Sequence, residues 1–132
     1  MRYLLDSNVC IRHFRSGGTS SASQRLLQLQ PNDAGICSIV RAELLAGAYR
    51  MKVPQQGKSQ IDAFCKVFPS LPFDDIAADQ SGRVHAQLAA SGTPIGAADL
   101  MIAAIALAQQ LIVVTNNVSE FQRVPGLQVE DW

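Results

Sequence analysis

Four acidic residues of this 132-residue chain stand in apolar company. Asp6 ends the run Tyr3-Leu4-Leu5, and Glu43 lies inside Ile39-Val40-Arg41-Ala42-Glu43-Leu44-Leu45. Asp99 precedes the uncharged stretch Leu100 to Ala108, and Glu120 follows Leu111-Ile112-Val113-Val114 by a few residues. A partly buried carboxylate is unfavourable unless positive charge meets it, and no lysine or arginine recurs beside all four. Convergence on a shared divalent metal accounts for the set. Carboxylates hold hard cations such as Mg²⁺ or Mn²⁺ through oxygen and leave water in the remaining positions. Such a cation lowers the pKa of bound water and neutralises charge building on a phosphoryl oxygen. The chemistry this favours is phosphodiester hydrolysis, with Asp6, Glu43, Asp99 and Glu120 as catalytic and metal-holding groups. Each also has a purely structural reading: Asp6 as a helix N-cap, Asp99 as an acid at a helix N-terminus.

The surrounding pattern predicts the elements that would hold these residues. Arg2 to Leu5 reads as a short buried strand, followed by a helix over 9–15 that Asp6, Ser7 or Asn8 can cap. Residues 16–21 form the clearest loop. A helix over 22–30, a strand over 35–37 and a helix over about 39–50, capped by Ser38, come next. On that helix Glu43 shares its face with Ile39, Ala46, Gly47 and Arg50, largely apolar and small. Pro54 to Gly57 breaks the chain before a helix over 59–67. A strand within 69–73, a helix over 74–90, a helix over about 97–110, a strong strand over 111–115 and an edge strand over 127–129 complete the pattern. Strands alternating with helices imply right-handed crossovers and a three-layer α/β/α sandwich around a central parallel sheet. Ligands in such folds bind beyond the carboxyl ends of the strands, where Asp6 and the 115–120 segment fall.

The chain's length predicts a single domain, residues 1–132. Hydrophobic content of 48% and charged content of 17% exclude a disordered chain. The longest uncharged apolar run is far short of the roughly twenty residues that a membrane helix needs, so no membrane association is expected and the location expected is cytoplasmic. Cys10, Cys37 and Cys65 lack paired spacing and read as buried apolar residues rather than disulfides or zinc ligands. Net charge is zero but unevenly placed: residues 1–66 carry nine Lys/Arg against four acids, and residues 67–132 carry two against seven. That asymmetry points either to a nucleic-acid face or to pairing between the two halves.

Lesser candidates surround the acids. The hydroxyls of Ser7 and Thr115 can orient water or a carboxylate, and Asn8, Asn116 and Asn117 can do the same or serve turns. Arg12, Arg15 and Arg41 can meet RNA phosphates or remain solvated. His13 stands alone and is poor evidence for a general base. The glycine-containing segments match neither phosphate-loop pattern.

Four blocks, in order and covering essentially the whole chain, resemble the PIN-domain family and more closely its VapC-type toxins from bacterial type II toxin–antitoxin pairs. They are Tyr3-Leu4-Leu5-Asp6-Ser7-Asn8, Ser38-Ile39-Val40-Arg41-Ala42-Glu43-Leu44-Leu45-Ala46-Gly47, Pro94-Ile95-Gly96-Ala97-Ala98-Asp99-Leu100-Met101-Ile102-Ala103-Ala104 and Val114-Thr115-Asn116-Asn117-Val118-Ser119-Glu120-Phe121. The resemblance implies a Mg²⁺- or Mn²⁺-dependent endoribonuclease with Asp6, Glu43 and Asp99 as core metal-site acids. It implies a homodimer, a VapB-like antitoxin that occupies a groove and blocks the site, and a toxin–antitoxin hetero-oligomer. The Thr-Asn-Asn ending is similar to that of toxins that cut initiator tRNA in the anticodon stem-loop. Two positions depart from the wider pattern: Ser7 replaces a commoner threonine, and Asn117 stands where many PIN domains have a fourth aspartate. Either Asn117 or Glu120 would then complete the site. Competing readings are a non-catalytic module that binds RNA or protein, and a phosphoryl-transfer enzyme with Asp6 as nucleophile. The latter commonly needs a second aspartate two residues on, where this chain has Asn8.

Overall fold

Five short strands form one parallel sheet in the computed structural model, which describes residues 1–132. They are β1 (Tyr3–Leu5), β2 (Ala34–Cys37), β3 (Ser70–Leu71), β4 (Ile112–Val114) and β5 (Val129–Glu130), in the spatial order β3-β2-β1-β4-β5. Tyr3 lies opposite Ala34 on one side and Ile112 on the other. Seven helices complete the chain: α1 (Ser7–Arg15), α2 (Ser21–Leu27), α3 (Ser38–Tyr49), α4 (Pro54–Val67), α5 (Asp75–Ala90), α6 (Ala97–Gln109) and α7 (Val118–Phe121). Helices cover both faces of the sheet, giving the three-layer α/β/α sandwich expected. Leu4, Leu5, Ile36, Val113 and Val114 are fully buried, as strands covered on both faces must be. α6 is the most enclosed helix: Ile102 to Ala106 are all buried, so apolar residues surround its axis. No helix is long and apolar enough to cross a membrane.

The topology positions the site. After β1 the chain moves outward through β2 and β3, then returns to place β4 on the other flank of β1. The strand order therefore reverses between β1 and β4, and a crevice opens beyond their carboxyl ends. Asp6 and Thr115 are the first residues past those two ends.

Several boundaries differ from expectation for identifiable reasons. Pro54 opens α4 instead of interrupting the chain, because proline at the first helical position has no N–H to waste. Ser38 is the first residue of α3 rather than its cap; its hydroxyl accepts a hydrogen bond from Phe73 N at 3.3 Å and ties α3 to the segment after β3. α2 stops at Leu27, and Asn32 turns the chain in the left-handed region at φ 69°. The edge strand is Val129–Glu130, held by Thr115 N donating to Glu130 O at 2.9 Å.

Gly35 marks a close backbone approach within the sheet. A Cβ there would lie 2.5 Å from the Pro69 carbonyl oxygen and 2.6 Å from Met1 Cε. The methionine can move, but the carbonyl belongs to the backbone entering β3. Gly35→Ala is expected to cost about 1–3 kcal/mol through overpacking, read as a lower urea midpoint with little change in slope. Gly47→Ala, whose Cβ meets nothing within 4 Å, is the control that should retain stability.

Candidate active site

Asp6 is built in by two elements at once. It is the N-cap of α1, its Oδ1 accepting from Ser7 N at 2.8 Å. Its other oxygen accepts from Thr115 Oγ1 at 2.7 Å, across the junction of β1 and β4. Thr115 Oγ1 also accepts from Asn117 N at 3.0 Å, so one fully buried hydroxyl fixes both the carboxylate and the turn after β4. Asp6 is 5% exposed and Ser7 6%. The capping reading and the functional reading of Asp6 are thus compatible, because one oxygen edge caps while the side chain still lines a cleft.

That cleft has a volume of about 450 Å³ and is lined by Asp6, Ser7, Asn8, Glu43, Ala98, Asp99, Asn116 and Asn117. Glu43 is exposed rather than buried. The core stripe of α3 is Val40, Leu44 and Ala48, and Glu43 sits one position off it. Ser7 Oγ donates to Glu43 Oε2 at 3.0 Å and draws the glutamate toward Asp6. Gly47, on the same face, lines an adjoining hollow, and a Cβ there would meet nothing within 4 Å, so this face is open rather than packed. Asp99 enters from the first turn of α6 and is half-buried. Asn117 Nδ2 donates to Asp99 Oδ2 at 3.3 Å and to Glu120 Oε2 at 2.6 Å. Glu120 Oε1 accepts from Gly96 N at 3.0 Å. Asn8 Nδ2 donates to Asn116 Oδ1 at 3.4 Å across the cleft.

No cation lines the cleft, and the chain's three ion pairs are Arg12–Asp131, Arg25–Glu130 and Arg41–Asp62. The carboxylates therefore act on one another. Burial, then a bond to Glu120 and the charges of Asp6, Glu120 and Glu43, push the Asp99 carboxyl up to about 7. Hydrogen bonds from Asn117, Gly96 N–H and Asp99 hold Glu120 below its usual range. The two neighbours are thus driven in opposite directions, Asp99 up and Glu120 down.

The donor set is all oxygen and negative. No three His, Cys, Asp or Glu side chains close into a ready-made cage. Asp6, Glu43 and Asp99 line an open cleft instead, which suits Mg²⁺ or Mn²⁺, cations that keep several waters and take one or two carboxylates directly.

The expected arginines fare differently. Arg12 Nη2 donates to the Trp132 carbonyl at 3.2 Å and sits 4.0 Å from Asp131, so the C-terminal segment engages it. Arg41 donates to Asp62 at 3.1 Å. Arg15 is exposed and unpaired beside the hollow that adjoins Glu43, and Arg50 lines the same hollow. Arg50 was legible as the i+7 partner of Glu43, though its position gave no sign that it would remain unpaired. Of the ion pairs, Arg12–Asp131 and Arg25–Glu130 join the basic and acidic halves, so part of the charge asymmetry is internal pairing. His13 lies outside the cleft, with Nδ1 2.8 Å from Ser23 Oγ and its ring against Phe14 and Phe64. Burial raises all three cysteine thiols, consistent with inert packing groups.

The comparison with known sequences decides the family: residues 3–127 match the PIN domain. The chain belongs to the PIN-domain family. It is 36% identical over 132 residues to the tRNA(fMet)-specific endonuclease VapC of Shigella flexneri, covering 100% of this chain and 98% of that protein. It is 34% identical to Ribonuclease VapC2 of Rickettsia felis over the same coverage. Among solved structures, this PIN domain superposes on DNA-bound VapBC from Salmonella typhimurium with a TM-score of 0.91 and 35% identity, over 100% of this chain and 98% of the other. The promoter-DNA-bound VapBC2 of Rickettsia felis gives 0.86 and 32%, over 100% and 99%.

Two outcomes check this geometry. Thr115→Val removes the donor to Asp6 and the acceptor of Asn117 N, and is expected to cost about 1–3 kcal/mol in chemical denaturation, since both partners are left wanting. The second concerns pH. Asp99 binds its proton more tightly in the folded chain, from 3.8 up to about 7. Its contribution to stability is therefore fully present below the unfolded value and lost as pH rises through the folded one. In EDTA the melting temperature should fall between about pH 4 and 7. Asp99→Asn should flatten that fall, and Mg²⁺ should oppose it.

Proposed function

We propose that this chain is a VapC-type toxin: a single PIN domain that hydrolyses RNA phosphodiester bonds with Mg²⁺ or Mn²⁺ and is neutralised by a cognate VapB-like antitoxin. The observation that carries the reading is the acid-lined cleft at the sheet's switch point, free of any cationic partner. Asp6, Glu43 and Asp99 would hold the cation, which would supply Lewis-acid stabilisation of charge on the scissile phosphoryl group. Ser7 sets Glu43, Thr115 sets Asp6, and Asn117 sets Asp99. Each carboxylate thus has a dedicated partner that orients it before substrate arrives. Asn8 and Asn116 line the entrance with neutral polar groups, so their amides add no repulsion against a polyanion. Arg15 and Arg50 supply unpaired positive charge on the flank and are the residues for flanking phosphates. Initiator tRNA is the first substrate to test, because the Shigella relative is named for that specificity.

The antitoxin has a track to follow. An apolar hollow of about 430 Å³ between α1, α2 and α4 is lined by Phe14, Leu26, Leu27, Phe64 and Val67 among others. Phe14 also lines the next hollow, with Ile11, Leu44, Met51 and Glu43. Glu43 then lines the cleft itself. A partner running along this track covers apolar surface and ends at the acids, which explains inhibition by obstruction. The solved relatives are toxin–antitoxin pairs, and by analogy we infer a homodimer carrying the antitoxin as a hetero-oligomer in the cytoplasm.

Antitoxin-free protein is expected to cut RNA into discrete products with Mg²⁺ or Mn²⁺ and not in EDTA. Asp99→Asn should lower the rate by at least about 100-fold while retaining the fold by circular dichroism. Full-rate cutting by that variant would remove the site assignment. Absence of cutting by metal-loaded wild type, on total RNA and initiator tRNA alike, would favour a non-catalytic binding module.

A further inference from the structure

We infer that Glu120 is a positioning residue that takes over the N-terminus of α6 and thereby releases Asp99 to face the cleft. Its own side chain is not one of the cleft walls. Gly96 is the N-cap and has no side chain to offer, so α6 lacks a side-chain cap. Counting from Ala97, Asp99 is the third helical residue. An acid at this position can reach back to the N–H of the N-cap residue, as the glutamate of a capping box does. Asp99 is close enough to be drawn that way: an ideal Cβ on Gly96 would lie 3.9 Å from Asp99 Oδ2 and 3.9 Å from Glu120 Oε1. The Gly96 N–H is nevertheless spoken for by Glu120 Oε1, at 3.0 Å from 24 residues away. Asp99 thus forms no bond to its own helix end and lines the cleft.

The second oxygen of Glu120 completes the arrangement. It accepts from Asn117 Nδ2, and the same amide nitrogen donates to Asp99 Oδ2. An amide nitrogen has two hydrogens, and both are directed at carboxylates here. The reversed amide would set its oxygen against the Glu120 carboxylate at 2.6 Å, so this orientation is fixed by chemistry. Asn117 Oδ1 is left as the unbonded atom of a side chain that lines the cleft, whereas Glu120 is absent from the lining. Asn117 is therefore the neutral cleft-facing group, and Glu120 is the anion behind it.

This inference rests on the nuclease reading only where cutting is measured. The decisive comparison is Glu120→Ala with Glu120→Gln in the full-length, antitoxin-free chain, using Mn²⁺ alone as probe. Glu120→Ala frees Gly96 N–H, Asp99 turns back to it, and Mn²⁺ affinity falls about 10–100-fold, the range for loss of a supporting partner. Glu120→Gln keeps an acceptor for Gly96 N–H but turns an NH2 toward Asn117 Nδ2, so the cap of α6 survives while the Asn117 contact is lost, and affinity falls less than in Glu120→Ala, staying within about tenfold of wild type. In the metal-free protein the ¹³C carboxyl resonance of Asp99 moves in Glu120→Ala and moves less in Glu120→Gln, where Gly96 N–H remains occupied. Cutting follows Mn²⁺ affinity, and Glu120→Ala adds no further loss to Asp99→Asn. A Gln variant that loses Mn²⁺ as completely as the Ala variant would overturn the inference, because the Gln variant still occupies Gly96 N–H and the Ala variant does not. An unmoved Asp99 resonance in Glu120→Ala would overturn it equally. If wild type cuts no RNA, the nuclease reading fails while the Mn²⁺ and resonance readouts still decide the role of Glu120.

Discussion

The hydrogen bond from Thr115 to Asp6 holds together the two strand ends on which the rest of the cleft depends. β1 and β4 are far apart in sequence and adjacent in the sheet. Their pairing brings a carboxylate and a hydroxyl together where both are buried. A buried acceptor must find a donor, and a buried hydroxyl must find both kinds of partner. Thr115 satisfies Asp6 and Asn117 in one step. From Asn117 the order passes to Asp99 and Glu120, and from Asp6, through Ser7, to Glu43.

The cleft solves an electrostatic problem by distributing it. Like charges brought together in low dielectric would normally be neutralised by protons. Here Glu43 stays in solvent, Asp6 has donors on both oxygens, and the Asp99 carboxyl is pushed well above the usual carboxylate range. The whole set is poised for a positive charge that the protein does not supply from its own side chains. Lysine and arginine are instead retained elsewhere, several of them spent on the C-terminal segment and on helix surfaces. A folded chain can hold this arrangement because the core beneath it, centred on Leu4, Leu5, Val113 and Ile102, is apolar and closely packed.

Much of this was legible in the residues. A continuous apolar strand ended by Asp6, an acid at the start of an otherwise uncharged helix, and the alternation of strands and helices determine where the cleft must lie. Glu43 reads in the sequence as an acid on an apolar face, and in the fold it is exposed at the cleft: helical spacing assigns a face, and whether a face of small residues is packed or open depends on what the rest of the chain lays over it. α7 is four residues long, too short to show a periodicity. The fate of Arg12 turned on a contact with Trp132 at the far end of the chain, which no local pattern encodes. The strap from Glu120 to Gly96 belongs to the same class. Its two ends read separately, Glu120 as a metal-site acid and Gly96 with no role of its own.

The strand order has a consequence for synthesis. During translation β1, β2 and α3 emerge early and can associate, yet the flank of β1 that β4 will cover stays open until most of the chain has left the ribosome. Asp6 then has no Thr115, and Asp99 has not yet been made or has nothing to orient it. A nascent or truncated chain carries individual acids without a cleft. Competence arrives all at once, when the parallel pairing of β1 with β4 closes the sheet, and this long-range step is intrinsically slow. For a protein whose activity is dangerous to the cell making it, that interval allows a partner produced alongside to be waiting when the cleft first forms.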